Sequence, residues 1–81
     1  MNVEIYAAKA EFVRRLGRLM AEAGIIAGLD YEAQWDSSRE RVIEETIYIE
    51  FENGYIKKIS VMADSKKAIM MDVLCAVGRV D

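Results

Sequence analysis

The chain has 81 residues, of which 14 are acidic and 11 basic, for a net charge of −3, with no histidine and one cysteine. A domain this small buries only about 60 to 65% of the surface its unfolded chain exposes, so one modest core is expected, in a single compact domain over residues 1–81. The lone Cys75 excludes an internal disulfide, and the composition excludes the usual histidine- and cysteine-rich zinc sites, which points to a reducing, cytoplasmic setting.

Met1-Asn2-Val3-Glu4 lacks the basic segment and apolar run of a signal peptide. No stretch approaches eighteen uninterrupted apolar residues, so no membrane span or membrane partner is expected.

Residues 3 to 27 carry the pattern of one long amphipathic helix. Ile5, Ala8, Phe12, Leu16, Leu19, Met20, Ala23 and Ala27 recur at three- and four-residue spacing, while Lys9, Glu11, Arg14, Arg15, Arg18 and Glu22 take the remaining surface. Asn2 is the expected N-cap. Glu11 is placed to pair with Arg15, and Arg18 with Glu22, each four residues on. Gly24 or Gly28 supplies the stop, and Gly28 is preferred because the apolar pattern persists through Ala27. Gly17, Ala21, Gly24 and Gly28 form a second stripe of small residues. A glycine inside a helix is unfavourable by up to about 1 kcal/mol relative to alanine. The stripe therefore suggests a close approach to the sheet, the second helix or another copy, against the alternative of a merely tolerated Gly17.

Residues 29 to 36 alternate, with Leu29, Tyr31, Ala33 and Trp35 on one side and Asp30, Glu32, Gln34 and Asp36 on the other. That is the pattern of a half-buried strand. After a polar connection, a second strand over about 42 to 52 places Ile43, Ile47, Ile49 and Phe51 toward the core and Glu44, Thr46, Tyr48, Glu50 and Glu52 outward. Glu45 falls on the core side and is expected at its margin, since an unpaired buried carboxylate is costly.

Asn53-Gly54 is the strongest turn signal in the chain. A two-residue loop scatters polar side chains over the core face. A three-residue loop, with Gly54 left-handed in a bulge, pairs Phe51 with Tyr55, Ile49 with Lys57, Ile47 with Ile59 and Glu45 with Val61. The hydrophobic pattern favours the bulged loop. A third strand over about 55 to 63 follows. Asp64 or Ser65 then caps a final helix running to about Val77, with Gly78 closing it. Its residues Ile69, Met70, Val73, Ala76, Val77 and Val80 are assigned to the sheet, but Met71, Leu74 and Cys75 leave little polar surface elsewhere. The expected fold class is α+β: α-β-β-β-α, a three-stranded antiparallel meander with both helices packed on one face.

That fold leaves one sheet face open. Asp30, Glu32 and Asp36 from the first strand, and Glu44, Glu50 and Glu52 from the second, surround Tyr48 there, with Lys58, Ile56 and Met62 on the third. Alternate strand residues lie about 6.6–6.8 Å apart, close to twice the rise of about 3.4 Å per nucleotide between phosphates. The expectation is a non-catalytic interaction module or small inhibitor whose acidic face binds a basic protein surface, including that of a nucleic-acid-handling protein. In topology and acidity the chain is similar to several small phage-encoded inhibitors, among them some anti-CRISPR proteins. The resemblance implies inhibition by surface mimicry and rests on no shared motif.

Direct nucleic-acid binding through Lys9, Arg14, Arg15 and Arg18 is disfavoured by their expected pairing and by the lack of a phosphate-cradling or helix-turn-helix signature. No enzyme is expected: the serines lack histidine partners, Cys75 sits in an apolar helix where burial is expected to leave it inert, and no cofactor or metal motif is present. An alternative function is a homo-oligomeric assembly or regulatory subunit that buries Gly17, Ala21, Gly24, Met71, Leu74 and Cys75 between copies, most simply as a homodimer.

Overall fold

The computed structural model describes residues 3–78, which form α1 (Val3–Glu22), β1 (Gly28–Trp35), β2 (Val42–Glu50), β3 (Ile56–Ser60) and α2 (Lys66–Gly78). The strands make an antiparallel meander in the order β1-β2-β3. This is the α-β-β-β-α arrangement read from the sequence. The helix α1 packs closely on β1, and α2 is docked more lightly. Asn2 and Val80, assigned above to a cap and to the sheet-facing side, lie outside the described residues.

The first helix ends at Glu22, six residues before Gly28. Gly24 adopts φ +74°, its N–H bonds to Ala21 O at 3.0 Å, and the Ile25 N–H reaches back to Met20 O at 3.0 Å. These two bonds are the paired closures of a Schellman motif, which needs a left-handed residue after the helix. The apolar residues that suggested a longer helix serve the turn instead: Ile26 is fully buried, and Ala27 N–H joins Glu50 O at 2.8 Å. Gly17 marks a close approach to the sheet. A Cβ there would stand 3.0 Å from Leu29 Cβ and 3.2 Å from the Leu29 backbone nitrogen.

The β2–β3 register is the bulged one. Ile47 opposes Ile59 and Ile49 opposes Lys57, Phe51 N–H bonds to Tyr55 O, Val61 N–H bonds to Glu45 O, and Gly54 has φ +90°. Between β1 and β2 the register shifts by one residue, so that Gln34 opposes Glu44 but Trp35 opposes Val42. This bulge turns Val42 into the core and leaves Ile43 53% exposed, reversing the sides expected from strict alternation.

The core joins Val13 and Met20 of α1, Ile26, Ile47, Ile49, Phe51 and Val61, and Ile69, Val73 and Ala76 of α2. Within it lies a group that sequence pattern placed elsewhere. Glu45 is only 1% exposed rather than marginal, and Lys9 is buried rather than on the helix surface. Lys9 Nζ donates to Glu45 Oε1 at 2.8 Å, Tyr31 Oη donates to the same oxygen at 2.6 Å, and Ala63 N–H donates to Oε2 at 2.8 Å. Burial pushes the Glu45 carboxyl upward, but the three hydrogen bonds and the Lys9 charge outweigh it and hold the acid below its ordinary range. Tyr31 is pushed far upward by burial first and then by its bond to Glu45, so it remains a donor. The network ties α1, β1, β2 and the segment entering α2 to one carboxylate.

Replacing one member of a buried pair strands the other. Lys9→Met is therefore expected to lower unfolding free energy by about 3–5 kcal/mol in urea denaturation. The double variant Lys9→Met/Glu45→Gln should recover part of that loss, because it removes the orphaned charge.

Candidate functional site

The pleat of the three strands builds the outer face row by row. Asp30 opposes Tyr48, which opposes Lys58; Glu32 opposes Thr46, which opposes Ser60; and Glu50 lies between Gly28 and Ile56. Asp30, Glu32 and Glu50 are exposed, and Tyr48 is half-buried between its neighbours. Thr46, on the central strand between Glu32 and Ser60, is buried although it lies on the outward side.

Local bonds hold the face in order. Tyr48 Oη donates to Glu32 at 2.9 Å, and this bond raises the phenol above its ordinary range. Lys58 Nζ lies 6.0 Å from the Tyr48 ring centre. Ser60 Oγ donates to Glu44 Oε1 at 2.9 Å, and the same oxygen accepts the Glu45 N–H. Glu44 is thus a half-buried strand-to-strand tie more than a free charge. Ile56 and Met62 are exposed beside these acids, at 56% and 42%.

Two of the six carboxylates assigned to this face leave it. Asp36 closes the β1–β2 turn: its Oδ1 accepts from Ser38 Oγ and Glu40 N–H, each at 3.0 Å, and Arg41 stands 3.7 Å from Oδ2. Burial raises the Asp36 carboxyl, but these bonds and the Arg41 charge bring it below its ordinary value. Glu52 sits in the β2–β3 turn, past the end of β2. The acidic surface is therefore a compact group of Asp30, Glu32 and Glu50 around Tyr48, with Glu44 at its margin, rather than a ladder of six.

The residues assigned to an oligomer interface also separate. Gly17 is buried against Leu29 within the chain, which removes it from any free stripe because its close partner is the sheet. Gly24 lies in the turn after α1 and Ala21 on its exposed side. Met71 and Leu74 are 54% and 47% exposed, and Cys75 is an exposed free thiol rather than a buried one. Met70, expected against the sheet, instead lines a groove of about 230 Å³ with Phe12, Arg15, Leu16 and Leu19.

A larger crevice of about 710 Å³ is lined by Val3, Trp35, Asp36, Ser37 and Arg39. Trp35 closes one side of it, edge-on to Tyr6 at 5.4 Å. Among the described residues no group of three or more aspartate, glutamate or cysteine side chains is arranged to hold a metal ion. No described helix is long and apolar enough to cross a membrane.

One further acidic pair escaped sequence reasoning. Asp64 precedes α2, one buried carboxyl oxygen of it has no partner among the described residues, and its hydrogen bond with Asp72 leads the causes that push its pKa up to about 6. Burial and the charges of Asp72 and Glu45 act in the same direction, and Lys9 opposes them.

No protein-family model matches the chain, and comparison with curated proteins and with solved structures returns no significant match. Fold and site together define a small α+β protein with a helical layer on one side of its sheet and an acidic, aromatic-centred surface on the other.

The Asp64 pair carries a pH dependence. Its folded pKa of about 6 stands above the ordinary 3.8, so its contribution to stability is full below about pH 4 and is lost as pH rises through about 6. Thermal melting from pH 4 to 7 is expected to show Asp64→Asn gaining on the parent protein as pH rises. A constant difference across that range would contradict the pairing.

Proposed function

We propose that this protein is a non-catalytic interaction module that uses its outer sheet face to bind a basic protein surface. The observation that carries this reading is the exposed cluster of Asp30, Glu32 and Glu50 around the half-buried Tyr48, with Tyr48 fixed by its 2.9 Å bond to Glu32. An aromatic group ringed by charge suits a protein interface: the ring supplies contact area at low entropic cost, and the carboxylates steer a cationic partner. Ile56 and Met62 extend the apolar part of the contact. A small inhibitor that occupies the basic groove of a nucleic-acid-handling protein has this chemistry, as the likeness in topology and acidity to phage-encoded inhibitors suggests. The free thiol of Cys75 fits a reducing cytoplasm.

The test is capture from the native host on immobilised protein at low ionic strength, with washes of increasing salt. The partner is expected to be a basic protein, released by salt. Asp30→Lys/Glu50→Lys should lower its retention at least about tenfold without changing the circular dichroism spectrum. Retention equal to that of the parent protein would refute the assignment of this face.

A further inference from the structure

We infer that the helical layer is the contact surface of a symmetric homodimer, formed by antiparallel packing of α1 against α1 of a second copy about a two-fold axis at Leu19. Two observations converge there. Leu19 is 64% exposed, and it adjoins the groove whose walls are Phe12, Leu16 and Met70. Met71 and Leu74 of α2, 54% and 47% exposed, add apolar surface to the helical layer.

The charges around Leu19 favour a second copy as the occupant. Arg15 lies four residues before Leu19 and Glu22 three residues after it, which places all three on one face of the helix. In an antiparallel pair centred on Leu19, each copy's Arg15 meets the other copy's Glu22. Such a rim is complementary to itself, whereas a partner of one charge sign would leave either Arg15 or Glu22 unsatisfied.

Both charges are free to be used this way. The expected Glu11–Arg15 pairing does not form, because Glu11 bonds Arg14 instead. Among the described residues neither Arg15 nor Glu22 has an ion-pair partner. Glu22 also occupies the last turn of α1, where no basic residue accompanies it. A negative charge at that helix end is locally unfavourable, and the arginine of a second copy would relieve it. The interface leaves the acidic sheet face open, so its success or failure is independent of the function proposed for that face.

Sedimentation velocity of the full chain from low to high micromolar concentration tests the inference. The parent protein is expected to dimerise in that range, and Leu19→Glu to weaken association about tenfold or more. Arg15→Glu and Glu22→Arg should each weaken it, and the double variant Arg15→Glu/Glu22→Arg should restore it, since the exchanged charges meet again across the axis. Circular dichroism of each variant verifies the fold. A parent protein that stays monomeric throughout, a dimer indifferent to Leu19→Glu, or a double variant no better than the singles would each overturn the inference.

Discussion

The carboxylate of Glu45 is the constraint around which the rest of the chain is arranged. An ionised acid at 1% exposure is tolerable only when its lone pairs are filled, and here the donors come from three separate parts of the fold: Lys9 on α1, Tyr31 on β1 and the Ala63 N–H before α2. Each donor therefore fixes one element against β2. Ala63 holds φ +62°, an unfavourable conformation for a residue with a side chain. Its N–H lies 2.8 Å from Glu45 Oε2, so the bond and the strained turn occur together. The lightly docked α2 is thus tethered at its start by a polar bond and along its length by Ile69, Val73 and Ala76.

The same arrangement divides the surface by chemistry. With Glu45 turned inward, the period of two along β2 sends Glu44, Thr46, Tyr48 and Glu50 outward, and the bulged hairpin brings Lys58 and Ser60 beside them. The helical layer has the opposite character, apolar surface with Arg15 and Glu22 flanking Leu19. One small core therefore separates two surfaces of different chemistry, an acidic sheet face and a helical face with exposed apolar side chains.

Much of the fold was legible in the residues. Alternation identified the strands, and the slip of one residue between two possible hairpin loops inverted enough side chains to decide the register around Gly54. The helix end was not legible in the same way. Ile25, Ile26 and Ala27 continue a helical pattern as well as they fill a Schellman turn, and only the position of the sheet beneath Ile26 separates the two. At the candidate site Asp30, Glu32, Tyr48 and Glu50 stand where the alternation put them. Asp36 and Glu52 do not, because the strands end before them and turn geometry takes over.

Local pattern, then, determined the order of elements, the hairpin register and the existence of an open acidic face, because periodicity and turn chemistry act over a few neighbouring residues. Tertiary structure decided which charges are free. Lys9 and Glu45 are 36 residues apart, and their pairing depends on how α1 lies across the sheet. The β1–β2 bulge exchanges Val42 for Ile43 through a register shift that neither strand encodes alone. Asp36 is taken out of the open face by Ser38, Glu40 and Arg41, which the β1–β2 turn gathers around it. The charge of a side chain is written in its type, but its availability depends on groups brought near it by folding.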